Sequence, residues 1–199
     1  HCKTRRQRQM CIRDRARAVD NQNSNEDERS FARISTAISK YWITKRAPYL
    51  VFEALECHGG PGYIEESIMP RLYREAPLNS IWEGSGNVMC LDVLRALQRD
   101  KNALPALFRE LASAKGSNKN FDESFRHFKA TLQDPIDLEV EARLLTEKMA
   151  CLIQASIFIK SGEEEKVSAF CNSRLGPRWS GAFGTLPSDT SFEYIMGGL

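Results

Sequence analysis

A chain of 199 residues with 42% hydrophobic and 27% charged residues can bury a core and form one soluble domain with an appendage. Its net charge of +2 is uneven, because residues 1–15 carry six basic side chains and one acid while the rest carries 22 basic and 25 acidic side chains. The rest of the chain is therefore mildly acidic, and any bulk electrostatic attraction to nucleic acid would come from residues 1–15 alone. No apolar run reaches the roughly eighteen residues of a membrane span, and we expect a cytoplasmic protein.

Residues 1–15 show no apolar periodicity and are unlike the sequence that follows. They would suit a basic arm for phosphates or anionic surfaces, but a disordered or foreign segment is the interpretation we favour. The basic side chains are not followed by an apolar stretch, so this segment is not a secretory signal. We therefore expect it to be non-native or disordered.

The first long helix is predicted to begin near Glu26. Its apolar side chains recur at steps of three and four residues, at Phe31, Ile34, Ile38, Trp42 and Ile43. Pro48 should kink this helix, and Gly59 and Gly60 should stop it. After an irregular, proline-containing segment, a second helix is predicted over residues 86–100.

Further helices are predicted in the second half of the chain, beginning with a short one near residues 104–111. An apolar stripe follows at Phe121, Phe125, Phe128 and Leu132. This stripe suits a core-facing helix better than an aromatic cofactor box. A long helix over residues 138–159 should be followed by one opened by the capping-box pattern of Ser161 and Glu164, and then by a short helix over residues 188–196. No stretch alternates polar and apolar residues, so we predict an all-α helical bundle.

Six cysteines lie at positions 2, 11, 57, 90, 151 and 171. They form no Cys-x-x-Cys pair, and no histidine lies at metal-ligand spacing. The last four lie in apolar helical segments. Reduced, buried thiols are therefore favoured over disulfides or zinc, and no metal site is predicted.

A glycine turn follows the first helix, with the sequence Gly59-Gly60-Pro61-Gly62. The simplest interpretation is a helix end, because helices often stop at glycine. Three glycines within four residues are more than one cap requires, however. Bare backbone N–H groups at such a turn can approach a pyrophosphate closely.

The second candidate site is Glu83, which stands between Trp82 and Gly84 just before the second helix. One interpretation is a carboxylate stabilised by the helix dipole, with Ser85 as the N-cap. The other is a general base, with neighbouring glycines that leave space for a substrate and with Trp82 as an apolar wall. Spacing alone slightly favours the first interpretation.

Both candidate sites belong to longer patterns. The glycine turn lies in Glu56-x-x-Gly59-Gly60-x-Gly62-Tyr63-x-x-Glu66-x4-Arg71-x3-Glu75, and Glu83 lies in Trp82-Glu83-Gly84-Ser85. The first pattern resembles the C-terminal signature of the acyl-CoA dehydrogenases at every position, although many members carry glutamine in place of Glu56. The second resembles the family's aromatic-Glu-Gly-Thr, whose glutamate is the catalytic base. The stretch from Lys40 to Leu94 is most similar to the AidB-like branch, and the likeness covers nearly everything after residue 15.

The resemblance implies an FAD-dependent oxidoreductase that acts on an acyl-CoA substrate. Glu83 would take the pro-R α-proton while the β-carbon gives hydride to flavin N5. A flavin ribityl hydroxyl and the Glu83 N–H would polarise the thioester carbonyl. Gly59 and Gly60 would touch the ADP part of an FAD held mainly by another subunit of a homotetramer. Ser85 and Asn87 replace the threonine and glutamine usual near the FAD.

The resemblance also leaves alternatives open. The AidB-like branch is associated with binding double-stranded DNA in the alkylation response, with poor dehydrogenase activity. Arg95 is assigned to the substrate pocket with Trp82 and Gly84, and we hypothesise that it pairs with Glu83 and weakens it as a base. A third hypothesis is a purely structural helical module at the tetramer interface.

The resemblance divides the chain into three segments. Residues 1–15 form the basic segment, residues 16–102 the family's C-terminal helical domain without its start, and residues 103–199 an extra helical subdomain that the AidB-like branch uses for DNA contact. The family's N-terminal helical domain and middle β domain are missing, so we expect a fragment that is inactive alone.

Overall fold

The computed structural model describes residues 16–133, 138–177, 179 and 181–196. Residues 16–21 are helical, and the elements that follow are α1 (Glu26–Cys57), α2 (Gly60–Tyr63), α3 (Met69–Glu75), the 3-10 helix η1 (Ala76–Ser80), α4 (Gly86–Arg99), α5 (Ala103–Ala112), α6 (Lys119–Thr131), α7 (Ala142–Ser161), α8 (Glu164–Arg174) and α9 (Phe192–Met196). No strand occurs in these ranges, which confirms the all-α prediction. No helix within them is both long and apolar enough to cross a bilayer.

Helix α1 is the element around which the others pack. Its N-cap is Asn25, whose side-chain oxygen accepts the N–H groups of Asp27 at 2.9 Å and Glu28 at 3.3 Å. The acidic first turn also complements the helix dipole. The helix runs through Pro48, where the sequence predicted a kink, and contacts α3, η1, α4, α5 and α7. It therefore connects both halves of the chain.

The core of the second half is built on the phenylalanine stripe of α6. Phe121 and Phe128 are fully buried, and Phe108 of α5 packs edge-on against Phe128 with ring centroids 6.2 Å apart. Leu145 and Leu152 of α7 are also fully buried. The prediction of a core-facing stripe is confirmed.

Arg46 of α1 anchors the glycine- and proline-rich loop near the end of the chain. Its guanidinium lies 4.2 Å from the ring centroid of Phe183 and 5.5 Å from that of Trp179, and donates to the carbonyl oxygen of Gly181 at 2.6 Å. The Arg174 guanidinium also lies over this cluster, 4.4 Å from the ring centroid of Trp179. Burial, and then the neighbouring Arg46, lower the pKa of Arg174.

Two sequence predictions at helix ends are wrong. Ser161 does not open a capping box, because its hydroxyl donates to the Phe158 carbonyl at 2.6 Å and completes α7. Gly162 then ends α7 in the left-handed conformation, and α8 begins after Glu163 without a side-chain cap. The last helix is also shorter than predicted, because it spans only Phe192–Met196.

The cysteines follow the predicted thiol chemistry with one exception. Cys90, Cys151 and Cys171 are free and buried, and burial raises the pKa of Cys151 and of Cys171 to about 12. The prediction of buried, reduced thiols is confirmed for these three. Cys57 is also free, but the prediction that it is buried is wrong, because α1 ends there at the surface. The other two cysteines lie outside the described residues.

Candidate functional site

The glycine turn begins directly after α1. The Gly59 N–H donates to the Glu56 carbonyl at 2.9 Å, and Gly59 then adopts a positive φ of 62°. This backbone conformation costs a side-chain-bearing residue energy, so a glycine is favoured at position 59. The helix-stop prediction is therefore confirmed, and it explains one of the three glycines.

The other two glycines differ in what surrounds them. A Cβ atom on Gly62 would lie 2.3 Å from the Leu55 carbonyl oxygen, so Gly62 is required by close packing against α1. A Cβ on Gly60 would meet nothing within 4 Å, and Gly60 has no positive φ. Within the described chain, neither packing nor backbone strain demands a glycine at position 60. Its bare backbone is open to a ligand.

The contrast between these glycines predicts two different outcomes for alanine variants. Gly62→Ala is expected to lower the free energy of unfolding by about 1–3 kcal/mol, because the new methyl group overlaps a backbone oxygen. Gly60→Ala provides the matched control and is expected to leave stability within about 0.5 kcal/mol of the unaltered protein. Urea unfolding followed by circular dichroism measures both. Equal stability of the two variants would contradict the packing assigned to Gly62.

Glu83 lies in an unusual backbone conformation at the turn before α4. It is the non-glycine residue with a positive φ, 57°, in the described part of the chain, and its side chain is exposed. Such a conformation costs about 1–2 kcal/mol for a residue with a Cβ. Strain of this kind is typical of functional sites.

Ser85 and Gly84 shape the start of α4. Ser85 stands at the N-cap position, as predicted, but its hydroxyl makes no capping hydrogen bond. Gly84 has a φ of 114°, and a Cβ there would lie 2.7 Å from Met89 Sδ. The helix-dipole interpretation of Glu83 therefore retains its N-cap residue but lacks the side-chain cap.

Lys40 is the site residue that sequence reasoning missed. Its ammonium group on α1 donates to three backbone carbonyl oxygens, those of Asn79 at 2.7 Å, Trp82 at 3.0 Å and Gly84 at 3.3 Å. These lie in residues 78–85, which include the end of η1 and which we call the Glu83 loop. Because these partners are about forty positions away and use backbone atoms, no side-chain motif could indicate them. Trp82 itself is 58% exposed and lies beside Glu83 on the surface.

Asn87 and Arg95 have different surroundings on α4. The Asn87 side-chain oxygen accepts a hydrogen bond from Arg143 Nε at 2.6 Å, which joins α4 to α7. Arg95 is exposed, and the ion pairs among the described residues do not include Glu83 with Arg95. Nine residues of helix place Arg95 about 14 Å along α4 from its first residue. The hypothesised ion pair is therefore not formed, and the place of Arg95 in a substrate pocket stays a prediction.

The two candidate sites lie at separate places along α1. Lys40 holds the Glu83 loop, whereas the glycine turn begins after Cys57. Seventeen residues of helix separate these points by about 25 Å. Within the described part of the chain, no backbone hydrogen bond joins the glycine turn to residues 82–87. The two sites are therefore not one local pocket of this chain.

The sequence of this chain is similar to those of known proteins. Residues 2–98 match the sequence profile of the acyl-CoA dehydrogenase C-terminal domain. AidB of Escherichia coli K12 is 39% identical over 163 residues, which make up 82% of this chain and 30% of that protein. Acyl-CoA dehydrogenase family member 11 of Caenorhabditis elegans is 33% identical over 138 residues, which make up 69% of this chain and 22% of that protein.

Solved structures share the fold. The crystal structure of Caenorhabditis elegans ACDH-11 in complex with C11-CoA matches with a TM-score of 0.70 and 24% identity, over 85% of this chain and 34% of that one. The apo form of Bd2924 matches with a TM-score of 0.66 and 27% identity, over 74% of this chain and 29% of that one.

The extent of these matches bears on the domain boundaries. The chain spans about a third or less of the length of each of these relatives. The profile match begins inside residues 1–15 and ends at residue 98, so the predicted division into residues 1–15, 16–102 and 103–199 stays a prediction. The helical fold, the profile match and the identity to AidB agree, and the chain belongs to the acyl-CoA dehydrogenase family, whose C-terminal helical domain it carries.

Proposed function

We propose that the chain supplies the catalytic base of an FAD-dependent acyl-CoA dehydrogenase, and that Glu83 is this base. The observation that carries the proposal is the conformation of Glu83. Its carboxylate is exposed, its φ is 57°, and among the described residues its backbone N–H has no hydrogen-bond acceptor. A proton acceptor and a free N–H donor therefore belong to one residue.

This pair of groups suits α-proton abstraction from a thioester. A carboxylate is too weak a base to take such a proton unless the enolate oxygen is stabilised as it forms. The Glu83 N–H would donate to the thioester carbonyl oxygen while the Glu83 carboxylate takes the α-proton. Bound FAD would supply the acceptor for the β-hydride, so that the substrate loses one proton and one hydride and gains a carbon–carbon double bond.

The residues that would contact FAD fit that role to different degrees. Gly59 and Gly60 leave open backbone, since a Cβ at either position would meet nothing within 4 Å. The Ser85 hydroxyl is exposed and makes no capping bond, so it can bind a ligand. Asn87 is held by Arg143 through its side-chain oxygen, which leaves the amide nitrogen as its donor.

The surface of the chain supports assembly with further protein. Of the twenty large apolar side chains exposed in the described part, thirteen lie between residues 43 and 88. They are Ile43, Tyr49, Leu50, Phe52, Tyr63, Ile64, Ile68, Leu72, Tyr73, Leu78, Ile81, Trp82 and Val88. Such a concentration is typical of an interaction surface. We infer that it is covered by the rest of the subunit and by other subunits of a homotetramer, which would also complete the FAD site.

Binding of double-stranded DNA has no comparable support in the structure. Lys115, Lys119, Arg126 and Lys129 line one open surface. Asp122 and Glu123 lie on the same surface, and Glu123 pairs with Arg126 at 3.7 Å. Mixed charges of this kind are typical of a solvated helix face.

The complete protein that carries this chain provides the test. It should be purified with its flavin and mixed anaerobically with acyl-CoAs of several chain lengths, while absorbance records flavin bleaching. At least one acyl-CoA is expected to bleach the flavin. DNA retention is measured in parallel over a range of salt concentrations. Failure of every acyl-CoA, with clear DNA retention at moderate salt, would overturn the dehydrogenase proposal in favour of the DNA-binding alternative.

A further inference from the structure

The ammonium group of Lys40 is surrounded by backbone carbonyls of the Glu83 loop. Nζ lies 2.7 Å from the Asn79 oxygen, 3.0 Å from the Trp82 oxygen and 3.3 Å from the Gly84 oxygen. An ammonium group has three protons, so these three acceptors use its full capacity. Lys40 takes part in none of the ion pairs among the described residues. Its hydrogen bonds therefore all go to backbone carbonyls of the Glu83 loop.

Two of these carbonyls flank Glu83 and fix its orientation. The Trp82 carbonyl and the Glu83 N–H belong to the same peptide unit, which is trans, and their bonds point in opposite directions. Because Lys40 draws the Trp82 carbonyl toward α1, it turns the Glu83 N–H away from α1. The Gly84 carbonyl is fixed in the same way on the other side. The strained Glu83 backbone therefore lies between two carbonyl groups that Lys40 holds.

The same contact strengthens the Glu83 N–H as a donor. A cation at a carbonyl oxygen draws electron density from the whole amide group, which makes the N–H of that amide more positive. The bond to the Trp82 carbonyl is solvent-exposed, so water screens part of this polarisation. The Lys40 charge thus reaches the group that would polarise a thioester.

We propose that Lys40 is the positioning residue of this site. Through the Trp82 and Gly84 carbonyls it holds the Glu83 carboxylate and the Glu83 N–H in the mutual arrangement that proton abstraction and carbonyl polarisation need. The catalytic part of this inference rests on the proposed dehydrogenase function. The structural part, that Lys40 fixes the loop, does not.

Hydrogen exchange of the complete protein tests the structural part. The Ile81 and Trp82 amides are bonded to the Leu78 carbonyl within the loop. Lys40→Met removes the ammonium group, and these amides are expected to exchange about tenfold faster. Lys101→Met is the control, because Lys101 is exposed and has no hydrogen bond to this loop. Unchanged exchange in Lys40→Met overturns the proposal. If the methionine variant does not fold, Lys40→Gln, which keeps a polar head group, replaces it.

Flavin bleaching by acyl-CoA tests the catalytic part. Lys40→Met is expected to lower the maximal bleaching rate about 10- to 100-fold, because the donor and the base are no longer held in place. The half-saturating acyl-CoA concentration is expected to change less than about threefold, because uniform binding is unaffected. Lys40→Arg should recover part of the rate, since a guanidinium also donates to carbonyls.

The outcomes separate the two proposals. Faster exchange together with the slower rate and its recovery in Lys40→Arg supports the role of Lys40. Faster exchange with an unchanged bleaching rate overturns that role. Faster exchange in a protein that no acyl-CoA bleaches confirms that Lys40 fixes the loop and overturns the dehydrogenase function instead.

Discussion

Glu83→Gln is expected to slow flavin bleaching at saturating acyl-CoA about 10³-fold, because an amide of the same size cannot take a proton. The exposed Glu83 side chain makes no hydrogen bond among the described residues, so the substitution removes no packing or polar contact of the fold. The backbone N–H of residue 83 remains in place. We therefore expect the half-saturating acyl-CoA concentration and the melting temperature to stay close to those of the unaltered protein. Stopped-flow absorbance of the flavin measures the rate.

Glu53→Gln is the matched control for the charge change. Glu53 is exposed on α1, and no hydrogen bond or ion pair of its side chain occurs in the described part of the chain. Its variant is expected to bleach at the rate of the unaltered protein. A near-normal rate in Glu83→Gln would assign the base to another residue, and an equal loss in both variants would point to net charge rather than to proton transfer.

Glu83→Gly removes both the backbone strain at position 83 and the carboxylate, so stability and activity are expected to change differently. Glycine adopts a φ of 57° without the steric cost that a Cβ imposes, so Glu83→Gly is expected to be as stable as the unaltered protein or up to about 1 kcal/mol more stable. It has no carboxylate and should not bleach. A residue whose removal preserves or raises stability while it abolishes activity is retained for function, which is the usual relation between strain and active sites.

The helices of this fold were predictable where apolar spacing was regular. The second predicted helix, over residues 86–100, agrees with α4 at Gly86–Arg99, because apolar side chains at steps of three and four residues require one buried helical face. The prediction failed at Ser161, because a serine near a helix boundary can bond backward to its own helix as well as forward to the next. Sequence does not decide between these local bonds, since tertiary packing selects the boundary.

The sequence motifs indicated the candidate site residues, but they did not indicate the contacts that hold these residues in place. The spacing around Gly59 and Glu83 indicated both candidate residues, and the structure adds that each has a positive φ. The close packing that requires glycine at position 62, and not at position 60, depends on where the Leu55 carbonyl lies. The part played by Lys40 depends on backbone carbonyls that fold back onto α1. Contacts to backbone leave no side-chain signature in the sequence.

Phe128→Ala is expected to lower the free energy of unfolding by about 3–5 kcal/mol, because it empties a fully buried ring position in the core. The ring of Phe108, which packs edge-on against Phe128 at 6.2 Å, loses its partner as well. This loss is a large part of the stability of a typical domain. Urea unfolding followed by circular dichroism measures it, and Phe128→Leu, which keeps most of the volume, should lose only about 1 kcal/mol.

Phe192→Ala makes the same chemical change at a different depth. Phe192 is 49% exposed on α9, so its truncation is expected to alter the free energy of unfolding by less than about 1 kcal/mol. The comparison also decides between the two interpretations of the phenylalanine stripe. A cofactor box would give Phe128→Ala near-normal stability and a shifted flavin absorbance. Because Phe121 and Phe128 have no exposed surface within this chain alone, a flavin has no access to them, and loss of stability without a spectral change is the outcome that the packing requires.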